Sequence, residues 1–224
     1  MLSVVIPVLN AAPCLAATIA ALGGVPAEVV VVDGGSGDDS CSVAAALGAR
    51  VVTAARGRGG QLAAGIAAAT GDWLLLLHAD TRLGPGWAAG ARALMRAPDG
   101  SECRERAGYF RFVLDSAAPQ ARRLERAVAW RCRVLGLPYG DQGLLISRNL
   151  LAQVGGMRAL PLMEDVDLVR RLGRGRLLAL EAAAVTSAGR WERQGWRRRS
   201  ARNLGCLALY LAGVPPRWVE RFYT

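Results

Sequence analysis

Hydrophobic positions in the first half of the chain fall into short, unbroken runs separated by alanine-rich stretches and polar turns. Val4-Val5-Ile6, Val29-Val30-Val31-Val32, Arg50-Val51-Val52-Thr53 and Trp73-Leu74-Leu75-Leu76-Leu77 read as strands, with helices between them at about 12–22, 39–47 and 59–69. This alternation predicts βαβ units around a mostly parallel sheet. The second and fourth runs lack polar alternation, which implies burial on both faces under covering helices. Beyond residue 80 the pattern loosens. It predicts a helix near 87–95, a polar loop around 98–105, an alternating strand over 109–114 and a helix at about 120–135. A glycine-rich segment at 136–143, a short strand Leu144-Leu145-Ile146 and a helix starting at Glu164 follow.

Polar and glycine residues sit where the predicted strands end, at Pro7-Val8-Leu9-Asn10, Asp33-Gly34-Gly35-Ser36-Gly37-Asp38 and His78-Ala79-Asp80-Thr81. Open α/β sheets bind ligands at the carboxyl ends of their strands, so these clusters are expected to share one crevice.

Composition narrows the choice of partner. A 224-residue chain that is 52% hydrophobic excludes a disordered protein, and its 28 basic residues, all arginine, give a net charge of +10. Such a charge favours acidic partners in general. The five cysteines, Cys14, Cys41, Cys103, Cys132 and Cys206, form no CxxC pair, which argues against a disulfide framework or zinc knuckle and for a reducing cytosol. The N-terminus reads as a strand rather than a signal peptide. The longest apolar runs, 73–77 and 204–214, fall short of the roughly 20 residues that span a bilayer. Arg190, Arg193, Arg197, Arg198, Arg199 and Arg202 crowd against an apolar helix at 204–211, which reads either as a solvated face or as a membrane-surface helix.

Asp33, followed by Gly34, Gly35 and Ser36, could accept hydrogen bonds from a base or ribose, or the segment could be a tight turn with Asp38 as a helix N-cap. Asp80 is delivered by a buried strand and offers a hard oxygen for Mg²⁺ or Mn²⁺ on a diphosphate. His78 could assist as a ligand or serve as a hydrogen-bonded structural residue. Arg56-Gly57-Arg58-Gly59-Gly60-Gln61 opens a helix whose N–H groups, with the guanidiniums of Arg56 and Arg58, would cradle phosphate. Glu164, Asp165 and Asp167 complement a helix start, or one of them acts as a general base.

The order of these pieces resembles the family-2 inverting glycosyltransferases of GT-A fold, through Val4-Val5-Ile6-Pro7-Val8-Leu9-Asn10, Val31-Val32-Asp33-Gly34-Gly35-Ser36, His78-Ala79-Asp80-Thr81, Gly140-Asp141-Gln142-Gly143 and Glu164-Asp165. Pro138–Gly143 and Thr186–Glu192 are similar to a short bacterial subgroup associated with arsenosugar biosynthesis. The resemblance implies an α/β, GT-A nucleotide-diphospho-sugar transferase fold in a single domain, 1–224. About 1–95 would be the nucleotide-binding half and about 96–224 the acceptor-side half with basic C-terminal helices. It implies that Pro7, Asn10, Asp33, Gly35, Ser36, Arg58, Gln61 and Asp80 face the donor nucleotide. A divalent cation, Mn²⁺ or Mg²⁺, would sit at Asp80 with His78. Asp165 would be the catalytic base with Glu164 as second choice, and Asp141, Gln142, Arg190 and Trp191 would lie on the acceptor side. Two residues depart from the family pattern: Ala11 stands where a Glu is usual, and His78 begins the Asp-x-Asp position, leaving one carboxylate for the cation.

The expected activity is a hexosyl- or pentosyltransferase that moves a sugar from a nucleoside-diphosphate sugar to a small-molecule or lipid-linked acceptor, in arsenosugar or related biosynthesis. It would work in the cytoplasm, with peripheral contact to the inner membrane face and no nucleic-acid partner. Two rivals are a nucleotidyltransferase, which usually carries a lysine after the first strand where this chain has no lysine at all, and a basic nucleic-acid- or membrane-binding module.

Overall fold

The computed structural model describes residues 1–96 and 105–223. Strands β1 (Leu2–Val8), β2 (Glu28–Asp33), β3 (Arg50–Thr53), β4 (Trp73–Leu76), β5 (Thr81–Leu83), β6 (Ala107–Leu114), β7 (Leu144–Ser147) and β8 (Leu177–Thr186) form one sheet in the order β3-β2-β1-β4-β7-β6-β8-β5. Around it lie helices α1 (Ala12–Ala20), α2 (Ser40–Ala46), α3 (Arg58–Ala68), α4 (Trp87–Arg96), α5 (Pro119–Leu135), α6 (Arg148–Gln153), α7 (Glu164–Leu172), α8 (Gly189–Gln194), α9 (Trp196–Leu211) and α10 (Pro216–Tyr223).

β1 is buried along its whole length, parallel to β2 on one side and β4 on the other. Its alternating side chains feed two cores. Val4, Ile6 and Val8 pack with Leu15 of α1 and Trp87 of α4, while Val5 packs with Leu62 of α3, Leu150 of α6 and Leu168 of α7. Both faces are therefore covered, as the continuous apolar runs require. α3 lies close on the sheet because Gly65 lacks a side chain; a Cβ there would stand 2.4 Å from Val5 and 2.6 Å from Val32.

Two pairings in the second half decide where chemistry can occur. β7 runs antiparallel to β4 with Leu144 opposite Leu76, so the residues that leave β4 meet the residues that approach β7. β5 runs antiparallel to β8 with Thr81 opposite Thr186, which brings the end of β8 beside Asp80. β8 pairs with β6 in parallel through a bulge: Phe110 faces Leu180 and Arg111 faces Ala183, leaving Glu181 and Ala182 as extra residues.

The predicted strands and helices of the first half are present, and α7 begins at Glu164. β5 and β8 were not expected. The β8 sequence LLALEAAAVT is rich in alanine and leucine, strong helix formers, and becomes a strand only through its pairing with β6. The apolar helix expected at 204–211 is the second half of α9, which starts at Trp196. The polar loop expected around 98–105 lies, except for Glu105, outside the described residues, as does Cys103. Cys14, Cys41, Cys132 and Cys206 are free thiols. Among the described residues no helix is long and apolar enough to cross a membrane.

Candidate active site

Strand register brings three carboxylates to one place. Asp80 follows β4 and directly precedes Thr81, whose hydroxyl lies 2.8 Å from that of Thr186. The Thr186 hydroxyl also donates to the Asp141 carbonyl at 3.1 Å, tying the turn before β7 to the same corner. Asp165, in the first turn of α7, accepts hydrogen bonds from the Gly140 N–H and its neighbour Val166 N–H, both at 2.8 Å. Asp80, Asp141 and Asp165 all line one cavity of about 110 Å³.

The acids at the start of α7 have separate duties. Asp167 is ion-paired with Arg158 at 3.0 Å and Arg171 at 2.8 Å. Glu164, 1% exposed, is bound by Arg58 Nε and lies behind that guanidinium rather than in the cavity. Asp165 alone of the three faces the cavity.

Environment sets the three acids and one histidine apart. Burial raises Asp165, but the Arg58 charge and the Gly140 N–H outweigh it and hold the carboxyl below the usual carboxylate range. Burial pushes Asp141 up to about 6; nearby Arg131 opposes the shift and Asp165 adds to it. Asp141 Oδ1 has no hydrogen-bond partner. Burial, followed by the Arg58 charge, lowers His78 to about 4, so its imidazole is neutral near pH 7. Arg58 Nη1 lies 3.4 Å from His78 Nε2; because arginine can only donate, Nε2 is the acceptor and the ring proton belongs on Nδ1. Gly140 permits this packing, since a Cβ there would stand 2.5 Å from His78 Nε2 and 3.3 Å from Asp165 Oδ2.

A larger cleft of about 750 Å³ adjoins the cavity, walled by Pro7, Arg58, Gln61, His78, Asp80 and Arg190 among others. Arg58, His78, Asp80, Leu162, Arg190 and Tyr223 line both spaces and mark their junction. Gln61 helps to shape the cleft, but its side-chain nitrogen donates to the Val8 and Val32 carbonyls at 2.8 Å, bridging β1 and β2.

Asp33, Asn10, Gly35 and Ser36 form a knot joined to the cleft through Gln61, against which Gly34 packs. Both Asp33 oxygens accept N–H groups of its own turn, from Gly35 at 2.9 Å and Ser36 at 3.1 Å. Burial raises this carboxyl, but the Ser36 and Gly35 hydrogen bonds bring it below its ordinary range. Asn10 has φ of 53° and accepts the Gly37 N–H at 2.8 Å. Asp38, expected as the cap of the following helix, accepts the N–H of Ser40, the first residue of α2, at 3.0 Å and also the Ala12 N–H of α1 at 3.1 Å, while Asp39 holds the N-cap position of α2.

Arg190 and Trp191, expected on the acceptor side, both line the cavity, and Arg190 lines the cleft as well. Gln142 does not. It is 2% exposed and spends its side chain on the Phe110 carbonyl at 3.0 Å and the Tyr139 N–H at 3.2 Å. The cavity wall also includes residues not expected at the site, among them Arg199, Asn203 and Tyr223, contributed by α9 and α10. Their only signal is the four-residue spacing of Arg199 and Asn203 on the inward face of α9, which no motif announces.

Among the described residues no group of three His, Cys, Asp or Glu side chains could cage a metal ion. Asp80 at the junction is a single hard oxygen donor, with the unpartnered Asp141 Oδ1 in the adjoining cavity. That set fits Mg²⁺ or Mn²⁺ that keeps water and phosphate oxygens in its shell, and not an ion held by protein alone. His78 fits the ion less well, because its Nε2 faces a guanidinium.

The family model described as glycosyl transferase family 2 matches residues 3–151. No curated protein matches the chain. Among solved structures, glucosyl-3-phosphoglycerate synthase from Mycobacterium tuberculosis is similar in fold. Its complex with Mn²⁺ and UDP-glucose has a TM-score of 0.64 at 21% identity, covering 96% of this chain and 80% of that one. Its complex with Mn²⁺, UDP and glucosyl-3-phosphoglycerate has a TM-score of 0.60 at 22% identity, covering 96% and 81%. A further mycobacterial protein has a TM-score of 0.55 at 23% identity, covering 84% and 65%.

Proposed function

We propose that this chain, which belongs to glycosyl transferase family 2, moves a sugar from a nucleoside-diphosphate donor in the larger cleft to an acceptor hydroxyl in the smaller cavity. The observation that carries this reading is the convergence of Asp80, Asp141 and Asp165 on the smaller cavity, with Asp80 at its junction with the cleft. UDP-sugars are the first donors to test, because the structural neighbour was crystallised with UDP and UDP-glucose.

In this reading Asp165, ionised at neutral pH, takes the proton from the acceptor hydroxyl as it attacks the anomeric carbon, and the configuration inverts. The low affinity of Asp165 for protons suits a base that acts late, when the hydroxyl has become acidic through bond formation. Glu164 positions Arg58, which with Arg190 offers positive charge to the diphosphate as it leaves. Pro7, Gln61 and the Asp33 knot shape the nucleotide wall. A divalent cation held by Asp80 and the donor's own phosphates would neutralise charge on the leaving group. An acceptor in arsenosugar or related small-molecule biosynthesis is supported by the similarity of 138–143 and 186–192 to that subgroup.

A cytoplasmic enzyme touching the anionic inner membrane face is also supported by the surface. α9 and α10 expose Leu204, Leu211, Trp218 and Phe222, with the exposed Arg197, Arg198 and Arg217 on the same two helices.

The central test is nucleoside-diphosphate release from UDP-sugars with Asp165→Asn. Turnover is expected to fall by roughly 10²–10⁴-fold while UDP affinity is unchanged. Wild-type turnover in this variant would overturn the assigned base.

A further inference from the structure

Arg199 is 5% exposed, yet no carboxylate lies within ion-pair distance of it among the described residues. One Nη donates to Gln194 at 3.2 Å, the other binds the Tyr223 hydroxyl, and the guanidinium stacks 4.5 Å from the Tyr223 ring. All these partners are neutral. A buried charge without an opposite charge is costly, which makes the site a strong place for an anion.

The same cavity collects further unsatisfied groups. Arg199 Nε and Trp191 Nε1 are buried donors without acceptors, and Asn203 Oδ1 and Asp141 Oδ1 are buried acceptors without donors. All four residues line the 110 Å³ space and none lines the larger cleft. Buried polar groups are nearly always hydrogen-bonded, so four orphans around one cavity call for water or a polar ligand between them. At about 30 Å³ per water the space holds three or four waters, or one small oxyanion and a hydroxyl-bearing carbon.

Charge is divided by element. Asp80, Asp141 and Asp165 come from the ends of β4, β7 and α7, whereas Arg190 and Arg199 come from α8 and α9; Arg58, the remaining cation, is already paired with Glu164. An anion can pair with the helix side while a hydroxyl on the same molecule meets the carboxylates.

We propose that this cavity is an acceptor subsite for a small hydroxylated anion, with Arg199 and the Trp191 Nε1–H donating to the acceptor's phosphate or carboxylate and Asn203 Oδ1 accepting from one of its hydroxyls. This rests on the transferase reading for what the ligand is used for, but not for its binding. The residues belong to α8 and α9, beyond the 3–151 stretch matched by the family model.

The test is calorimetric titration of the full chain with glycerol 3-phosphate, glycerate and glycerol, with and without UDP and Mn²⁺. Wild type is expected to bind at least one of the two anions and not glycerol. Arg199→Gln should weaken anion binding at least tenfold while leaving UDP affinity within twofold. Trp191→Phe, which keeps the bulk and removes one N–H, should weaken it about threefold and serves if Arg199→Gln does not fold. Anion affinity unchanged in the folded variants, or glycerol bound as tightly as its phosphate ester, would overturn the subsite. Competition by phosphatidylglycerol vesicles that depends on Arg199 supports a lipid-borne anion, and its absence beside anion binding supports a soluble one. Wild type that fails to bind UDP but keeps Arg199-dependent anion binding would strike the donor reading alone.

Discussion

Arg58 Nη1 stands 3.4 Å from His78 Nε2 across the junction of the two spaces, and the guanidinium and burial together keep the imidazole unprotonated. The folded-state value of about 4 lies below the ordinary histidine value of 6.5, so the unfolded chain binds the proton more readily. This site's contribution to stability is therefore lost as pH falls through the window from about 6.5 to 4. Replacing Arg58 by Gln should raise the His78 value, an outcome read by NMR titration of the only histidine in the chain. An unmoved titration would show that burial alone sets it.

Asp141 behaves in the opposite sense. Its folded value of about 6 exceeds the ordinary 3.8, so its contribution is present at low pH and is lost as pH rises through about 6. At neutral pH the ionised carboxylate opposes folding, by on the order of 2 kcal/mol after allowance for solvent. Asp141→Asn should raise the Tm at pH 7 by several degrees, with a smaller gain at pH 4, and scanning calorimetry at both values checks it. If transfer needs this carboxylate ionised, kcat/KM falls below pH 6 and the variant lacks that limb.

Metal binding should depend on nucleotide. Without a caging set of side chains, Mn²⁺ alone should not shift the Tm, whereas Mn²⁺ with UDP should raise it more than UDP does. Asp80→Ala should erase that difference, and His78→Gln should retain most of it. A Tm raised by Mn²⁺ alone would show that the protein holds the ion by itself.

Membrane contact predicts co-sedimentation with vesicles containing phosphatidylglycerol and weak binding to neutral vesicles, declining with salt. The paired change Leu204→Glu and Trp218→Glu should abolish it without lowering activity on a soluble acceptor. Unchanged sedimentation would leave the exposed apolar positions as ordinary surface.

The parallel half of the fold was legible because β1, β2 and β4 are apolar on both faces, a pattern that burial under helices imposes on sequence. β8 was not, because alanine and leucine carry a helical preference that only strand pairing overrides. The same division holds at the site. Asp80, Asp141 and Asp165 stand in segments whose order betrays them. Arg199 and Asn203 lie in an arginine-rich stretch that reads as surface, and only the packing of α9 turns them inward. Arg58 was expected to cradle phosphate, but its tie to Glu164 could not be seen across 106 residues of sequence.

The bulge in β8 also constrains how the protein can change in length. Glu181 and Ala182 are an even-numbered excess, and side chains alternate across a strand with a period of two, so every residue from Ala183 to Thr186 keeps the face it would have without them. Removing both preserves that parity, with Thr186 still opposite Leu114 and Thr81. Removing one inverts it, turning the Thr186 hydroxyl away from Asp141 and Thr81 and carrying Arg190 out of the junction. Insertions and deletions tolerated at this bend are therefore expected in pairs.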